Sequence, residues 1–222
     1  EQMGEILTEC VVRAQLRDAF VLVACTRGLP QPGTRDPRLC RNRLYAFAQP
    51  FVWVADEQQR KDGFHMMVAG TRRIPMESLD QRVKNFHWLD LTMGLFEAYD
   101  RGGNVAVLLD MNGNVGAAPA ANFFMEKDGT LFTPPLGHIL PSITRQVVMN
   151  ICRELDIPVV EKHINPHELE HADSAFLCGT AVEIAGIESV DANKFSKSWK
   201  DSIGAIIQEA YRCQVLERSF SY

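Results

Sequence analysis

Short apolar runs rich in β-branched and aromatic residues alternate along this chain with stretches of helical period, and that alternation limits the fold more than any other feature. Residues 64–69, 105–110, 122–126, 131–133, 157–161, 175–178 and 182–187 read as strands, because strand-forming residues there are bounded by turn chemistry. Residues 85–100, 143–155 and 199–213 read as helices, the first with Phe86, Leu89, Met93 and Phe96 on its buried side. Asn112-Gly113 and Asp128-Gly129 mark tight turns. Upstream, residues 1–15 read as an amphipathic helix, 19–26, 44–48 and 51–54 as strands, 28–38 as a loop, and the polar stretch 55–63 as a linker. Helices interspersed with short strands and hairpins point to a mixed α/β (α+β) fold.

Composition removes several functions. The 222 residues are enough for a substantial core, in one large domain or two small ones. Against 23 Lys and Arg stand 28 Asp and Glu, a formal charge of −5. That balance argues against nucleic-acid binding, which needs a basic face to displace counterions. No apolar run approaches the roughly 20 residues that cross a bilayer. The six cysteines are scattered, form no CxxC pair and sit partly in apolar runs, as small buried hydrophobes of a reducing compartment do. Neither a signal peptide nor an arginine-rich transit segment is read. The chain opens at Glu1 directly on a helical pattern, so the expectation is that it begins partway along a longer gene product.

Four segments carry chemistry. His167-Glu168-Leu169-Glu170-His171 fits H-E-x-x-H, which on a helix presents two imidazoles on one face beside a glutamate. Pro166 before it and the strand at 175–178 after it leave room for little more than two turns, and no third ligand follows. A short solvated helix is the reading that fits, with no metal expected. Lys84 lies in Arg82-Val83-Lys84-Asn85-Phe86-His87-Trp88-Leu89. An apolar-aromatic setting of that kind disfavours an ammonium and makes an amine nucleophilic; the alternative is a lysine whose stem packs while its head reaches water. Leu140-Pro141-Ser142-Ile143-Thr144-Arg145 and Cys178-Gly179-Thr180-Ala181 each offer backbone N–H groups to an anion, the first at a helix N-terminus. Taken singly, they read equally well as a helix cap and a turn.

The order of these pieces is more specific than any one of them. A lysine, a small-residue turn ending in Asn122, L-P-x-I-T-R and then G-T-A resembles the class IV (fold type IV) pyridoxal-phosphate aminotransferases. That group includes branched-chain and D-amino-acid aminotransferases and (R)-selective amine transaminases. The likeness runs from Leu16-Arg17-Asp18-Ala19-Phe20-Val21 to Glu209-Ala210-Tyr211. It implies a small α/β domain, here residues 1–55 and incomplete, and a larger cofactor-binding domain over 56–222, in a homodimer. It also implies pyridoxal 5'-phosphate as cofactor, held through a Schiff base with Lys84. Ile143, Thr144 and the Thr180 hydroxyl would take the phosphate, with Asn122 and position 117 also on the cofactor. Thr180 and Ala181 would face a substrate carboxylate, Trp88 would shape the site, and Leu22 would form a hydrophobic wall.

Three departures accompany the likeness. Where the family carries a glutamate for the pyridine nitrogen, in a pattern like E-x-x-G-x-N, this chain has Ala117, and the glycine position is Ala120. The glycine before I-T-R is Ser142, which fits only if the backbone there avoids positive φ. The N-terminal part of the family's small domain, with a phosphate-binding arginine, has no counterpart in these residues. The expected activity is amino-group transfer between a branched-chain-like amino acid or amine and a 2-oxo acid in the cytoplasm, with no nucleic-acid or membrane partner. Three other functions compete with it. They are a weakened or inactive homologue acting as a scaffold, a lyase on an aminodeoxychorismate-like substrate, and, most distant, a zinc hydrolase on His167 and His171.

Overall fold

The computed structural model describes residues 2–137 and 139–218. Glu1 and Tyr222, the outer ends of the two expected domains, lie outside them. The chain forms two compact units, one reaching Trp53 and the other beginning at Val54.

In the first unit, helix α1 (Gln2–Ala14) lies against a hairpin of β1 (Ala19–Leu29) and β2 (Arg41–Pro50). The two strands pair antiparallel, from Ala19 opposite Pro50 to Thr26 opposite Arg43. The structure merges the second strand into a single run ending at Pro50, and residues 51–54 are not strand. Proline fits at that final position, where its missing N–H interrupts no further ladder bond. β1 runs on through Gly28, so part of the expected loop is strand.

The second unit contains α2 (Glu57–Asp62), β3 (Phe64–Arg72), α3 (Leu89–Asp100), β4 (Val105–Leu109), β5 (Asn122–Lys127), β6 (Thr130–Thr133) and α4 (Ile143–Glu154). It continues with β7 (Val159–Glu161), α5 (Pro166–Glu170), β8 (Ser174–Gly179), β9 (Glu183–Val190), β10 (Asn193–Lys194) and α6 (Ile203–Arg218). Its sheet runs β4-β3-β9-β8-β5-β6-β7, with β10 on β9. The pairs β3–β4, β3–β9 and β6–β7 are parallel and the others antiparallel, so the sheet is mixed.

Adjacent residues of a strand point to opposite faces, and here both faces are covered. Phe123, Met125, Leu177 and Ile187 pack with Phe64, Met66, Val105 and Val107 on one side. Phe124, Phe176, Cys178 and Ile184 pack on the other, with Val148 and Ile151 of α4 and Ile207 of α6. Burial on both faces is why β4 and β8 read as unbroken apolar runs. Glu126 carries a charge into this core. Glu126 on β5 is fully buried and accepts from the Ser174 hydroxyl (2.8 Å), the Ile203 N–H at the start of α6 (2.9 Å) and the Lys197 ammonium. It thereby fixes where α6 begins.

Two further expectations change. The polar stretch 55–63 is not a linker throughout: Asp56 and Gln59 form a reciprocal capping box that starts α2, and Gly63 ends it. Helix α3 starts at Leu89 rather than 85, and the face it buries is Asp90, Gly94 and Ala98. Phe86, Leu89, Met93 and Phe96 are exposed, Leu89 by 72%. The reason is close approach: a Cβ on Gly94 would sit 2.7 Å from Leu108 Cδ1, so only a stripe of small residues lets α3 lie this near β4.

Candidate active site

The two loops that follow β8 and precede β5 are locked together. Asn122 pairs with Cys178 across the antiparallel strands, so the ends of β5 and β8 sit side by side. Beyond them, Gly179 lies so close to the preceding loop that a Cβ there would be 2.6 Å from the Ala120 carbonyl oxygen. Ala120 itself has φ 62, the left-handed conformation that the glycine of the family pattern would adopt freely. The backbone shape is thus present although the residue is alanine, at a cost of roughly 1–2 kcal/mol. The Ala118–Ala121 bridge closes the turn, and the Gly116 N–H and Ala117 carbonyl bond back to Leu108 (2.9 and 3.0 Å).

Helix α4 points its N-terminus toward the same region. The buried Asn122 side chain donates to the Leu140 carbonyl (3.1 Å), tying the loop before α4 to the start of β5. Ser142 caps the helix by accepting from the Arg145 N–H (3.3 Å) at φ −69, so the backbone does not need a glycine there. Arg145, the arginine of I-T-R, is buried, pairs with Glu161 (3.0 Å) and donates to the Pro134 carbonyl (3.2 Å). These contacts fix the first turn of α4 on the sheet. Ile143 is 84% exposed while Thr144 is buried, and among the described residues neither N–H meets an acceptor. Tyr211 of α6 hydrogen-bonds Thr144; its phenol titrates above the ordinary value, because burial and then the Glu183 carboxylate disfavour the phenolate. Beneath the seat, burial pushes the Cys178 thiol up to about 12, which leaves it inert.

Thr180 is exposed directly after this turn, and the neighbouring Ala181 carbonyl accepts from the Val54 N–H (3.3 Å). Ala117, Asn122, Ile143, Thr144, Thr180 and Ala181 therefore lie in or directly beside loops joined by contacts at one end of the sheet. Two free helix N–H groups, a hydroxyl and a turn with no room for a Cβ suit a phosphate dianion. A ring nitrogen would find no carboxylate at Ala117.

Lys84 is differently placed. It lies in an exposed segment rather than an apolar setting, since Val83, Phe86, Trp88 and Leu89 are themselves exposed. The desolvation expected from the sequence is not supplied by these neighbours. Asn85 shapes the segment locally, donating to the Val83 carbonyl and accepting from the His87 N–H (both 2.9 Å). The Trp88 indole donates to the Asn85 carbonyl. Among the described residues Lys84 makes no hydrogen bond or ion pair, which leaves its amine available. Leu22 is half-buried on β1 opposite Phe47, within the first unit.

Among the described residues the H-E-x-x-H segment makes no hydrogen bond or ion pair with Asn122, Thr144, Thr180 or Ala181, and it lies on α5 and its C-cap. Ligand atoms of His167, Glu170 and His171 come within 4.8 Å of one another, but all three side chains are exposed on a helix of five residues. Glu168, the glutamate a zinc hydrolase would use, instead pairs with Lys162 and accepts from the Asn165 N–H. It is spent on capping its own helix.

The sequence profile of the class IV aminotransferases matches residues 1–190, and the chain belongs to that family of pyridoxal-phosphate-dependent transaminating enzymes. The branched-chain-amino-acid aminotransferase of Salmonella typhimurium is 36% identical over 213 residues, which cover 95% of this chain and 69% of that protein. The crystal structure of the branched-chain aminotransferase from Thermoproteus uzoniensis with norvaline superposes with a TM-score of 0.88 at 29% identity, covering 98% of this chain and 72% of that one. The branched-chain amino acid aminotransferase of Thermobaculum terrenum in its PLP form gives 0.84 at 25% identity, covering 96% and 69%. The zinc-hydrolase reading of the histidine motif gives way to this family. Among the described residues no helix is long and apolar enough to cross a membrane.

Proposed function

We propose that this chain transfers the amino group of a branched-chain-like amino acid to a 2-oxo acid, with pyridoxal phosphate seated between the α4 N-terminus and the 116–122 and 179–181 loops. The observation that carries this is that the Ile143 and Thr144 N–H groups, beside Thr180 and the Gly179 turn, meet no acceptor among the described residues. When bound, the cofactor supplies an electron sink for the substrate's α-carbon. Lys84 Nζ would hold the cofactor in its resting state and carry the α-proton once substrate has displaced it. Ile143 and Thr144 N–H groups and the Thr180 hydroxyl would anchor the phosphate, and Asn122 would keep the loop before α4 in register. Thr180 and Ala181 would receive the substrate carboxylate, Trp88 would bound the site, and an apolar Leu22 suits an aliphatic side chain rather than a charged one. Ala117 favours slow turnover within this same reading, because no carboxylate there keeps a pyridine nitrogen protonated.

The division near residue 55 would separate the small domain from the cofactor-binding one. The exposed apolar face of Phe86, Leu89, Met93 and Phe96 supports association with a second copy as a homodimer. Six cysteines free of disulfides suit a reducing cytoplasm. The test is a visible spectrum with added pyridoxal phosphate, borohydride reduction and peptide mapping, followed by rates with leucine, D-alanine and an aryl-ethylamine. A cofactor band with label on Lys84 and turnover of leucine is expected. Label scattered over surface lysines would overturn the assignment of Lys84, and turnover of charged donors alone would overturn that of Leu22.

A further inference from the structure

The segment carrying Lys84 is exposed and bonded mainly to itself, yet both of its ends return to one buried residue. Arg73, directly after β3, pairs through its guanidinium with Asp90 in the first turn of α3 and donates to the Gln81 side-chain oxygen. Asp90 also accepts from the Ile74 N–H (3.0 Å), and the Gln81 amide donates back to the Ile74 carbonyl (2.9 Å). Gln81 stands three residues before Lys84 and Asp90 six after it, and all three members of the network are buried. On its other side Arg73 reaches the cofactor loop. Its N–H donates to the Leu109 carbonyl (2.9 Å), and its Cγ lies 3.4 Å from where a Cβ of Gly116, next to Ala117, would be.

We infer that Arg73, Gln81 and Asp90 form a clamp that positions Lys84 against the 116–122 loop. Stability is a poor explanation of the network. A buried ion pair roughly breaks even against apolar residues of similar volume, and here Arg73 Nε and Asp90 Oδ1 are buried without a partner among the described residues. What the network does achieve is geometric. A planar guanidinium fixes two partners at once in directions set by its fork, so both ends of the Lys84 segment take one register. A lysine at position 73 would offer rotatable donors on a point charge and would not fix the two directions at once. The three are positioning residues: none needs to touch cofactor or substrate.

The inference rests on Lys84 being the cofactor lysine, and the experiment separates the two. Borohydride trapping at saturating pyridoxal phosphate, with peptide mapping, reads the share of label on Lys84 among all lysines; a pH titration of the visible band reads the environment of the attached amine. Arg73→Met with Asp90→Leu removes both charges at similar volume, and Gln81→Met leaves the ion pair intact. Asp80→Asn, which disrupts an exposed pair with Arg82 in the same segment, is the control. The double variant is expected to lower the Lys84 share at least tenfold and to move the titration midpoint by about a pH unit. Gln81→Met should lower the share about threefold, Arg73→Lys should fall between wild type and the double variant, and Asp80→Asn should match wild type. Wild-type labelling and midpoint in the double variant and in Gln81→Met would overturn the clamp while leaving Lys84 in place. Scattered label in the wild type would overturn both.

Discussion

The proposed cofactor seat and the Lys84 segment reach their conformations by opposite means. Around Asn122, Ile143 and Gly179 the backbone is dictated by strands buried on both faces, by Arg145 on Glu161, and by a turn in which no Cβ fits at Gly179. Around Lys84 the side chains are exposed, the hydrogen bonds join near neighbours, and among the described residues the buried polar Gln81 and Asp90 stand at the two ends. The difference teaches that an anion seat can be rigid by inheritance from the sheet. On the proposed role of Lys84, a nucleophile carried on a surface segment needs a dedicated device to place it.

The contrast can be broken most sharply at Glu126. Glu126→Ala leaves the buried Ser174 hydroxyl and the half-buried Ile203 N–H without acceptors, each worth about 1–3 kcal/mol. A loss of about 3 kcal/mol in a urea unfolding series is expected, together with weaker cofactor binding as α6 and its Tyr211 loosen. A loss under about 1 kcal/mol would mean that the sheet does not hold the seat. Next in size is Ala117→Glu. A charge-assisted hydrogen bond of about 1.5–3 kcal/mol realised in the transition state raises kcat by roughly ten- to hundredfold. The gain is expected in steady-state rates with leucine at an unchanged thermal midpoint; no gain would show that the seat does not present position 117 to the ring. The smallest effect belongs to the lysine side. Asn85→Ala removes two exposed hydrogen bonds and is expected to cost under about 1 kcal/mol in the same urea series. A larger loss would erase the distinction between the two regions.

Much of this was legible before any coordinates. Strand positions followed from apolar runs bounded by Asn-Gly and Asp-Gly turns, and the order of lysine, L-P-x-I-T-R and G-T-A pointed to the family. The misassigned face of α3 has a physical origin. Phe86, Leu89, Met93 and Phe96 carry the larger apolar surface, so period alone assigned them to the core, but the distance between α3 and β4 admits only Gly94 and Ala98. Asp90 sits on the same stripe as those two, spaced by four, and that spacing was the available signal that a buried acid awaited a partner. Its partner Arg73 lies 17 residues away and could not be paired with it by pattern. Tyr211 and Arg145 were likewise named for a resemblance before their contacts gave them a reason.

Sequence by itself determined the mixed α/β class, the place of most strands and the family, because those depend on local propensity, turn chemistry and the order of short motifs. Tertiary structure alone decided which face of α3 is buried, that Ala120 takes the left-handed turn, that Ser142 caps α4 instead of straining it, and that Arg73 gathers both ends of the Lys84 segment. Each of those depends on how closely two distant pieces of chain approach, a distance that no local run of residues encodes.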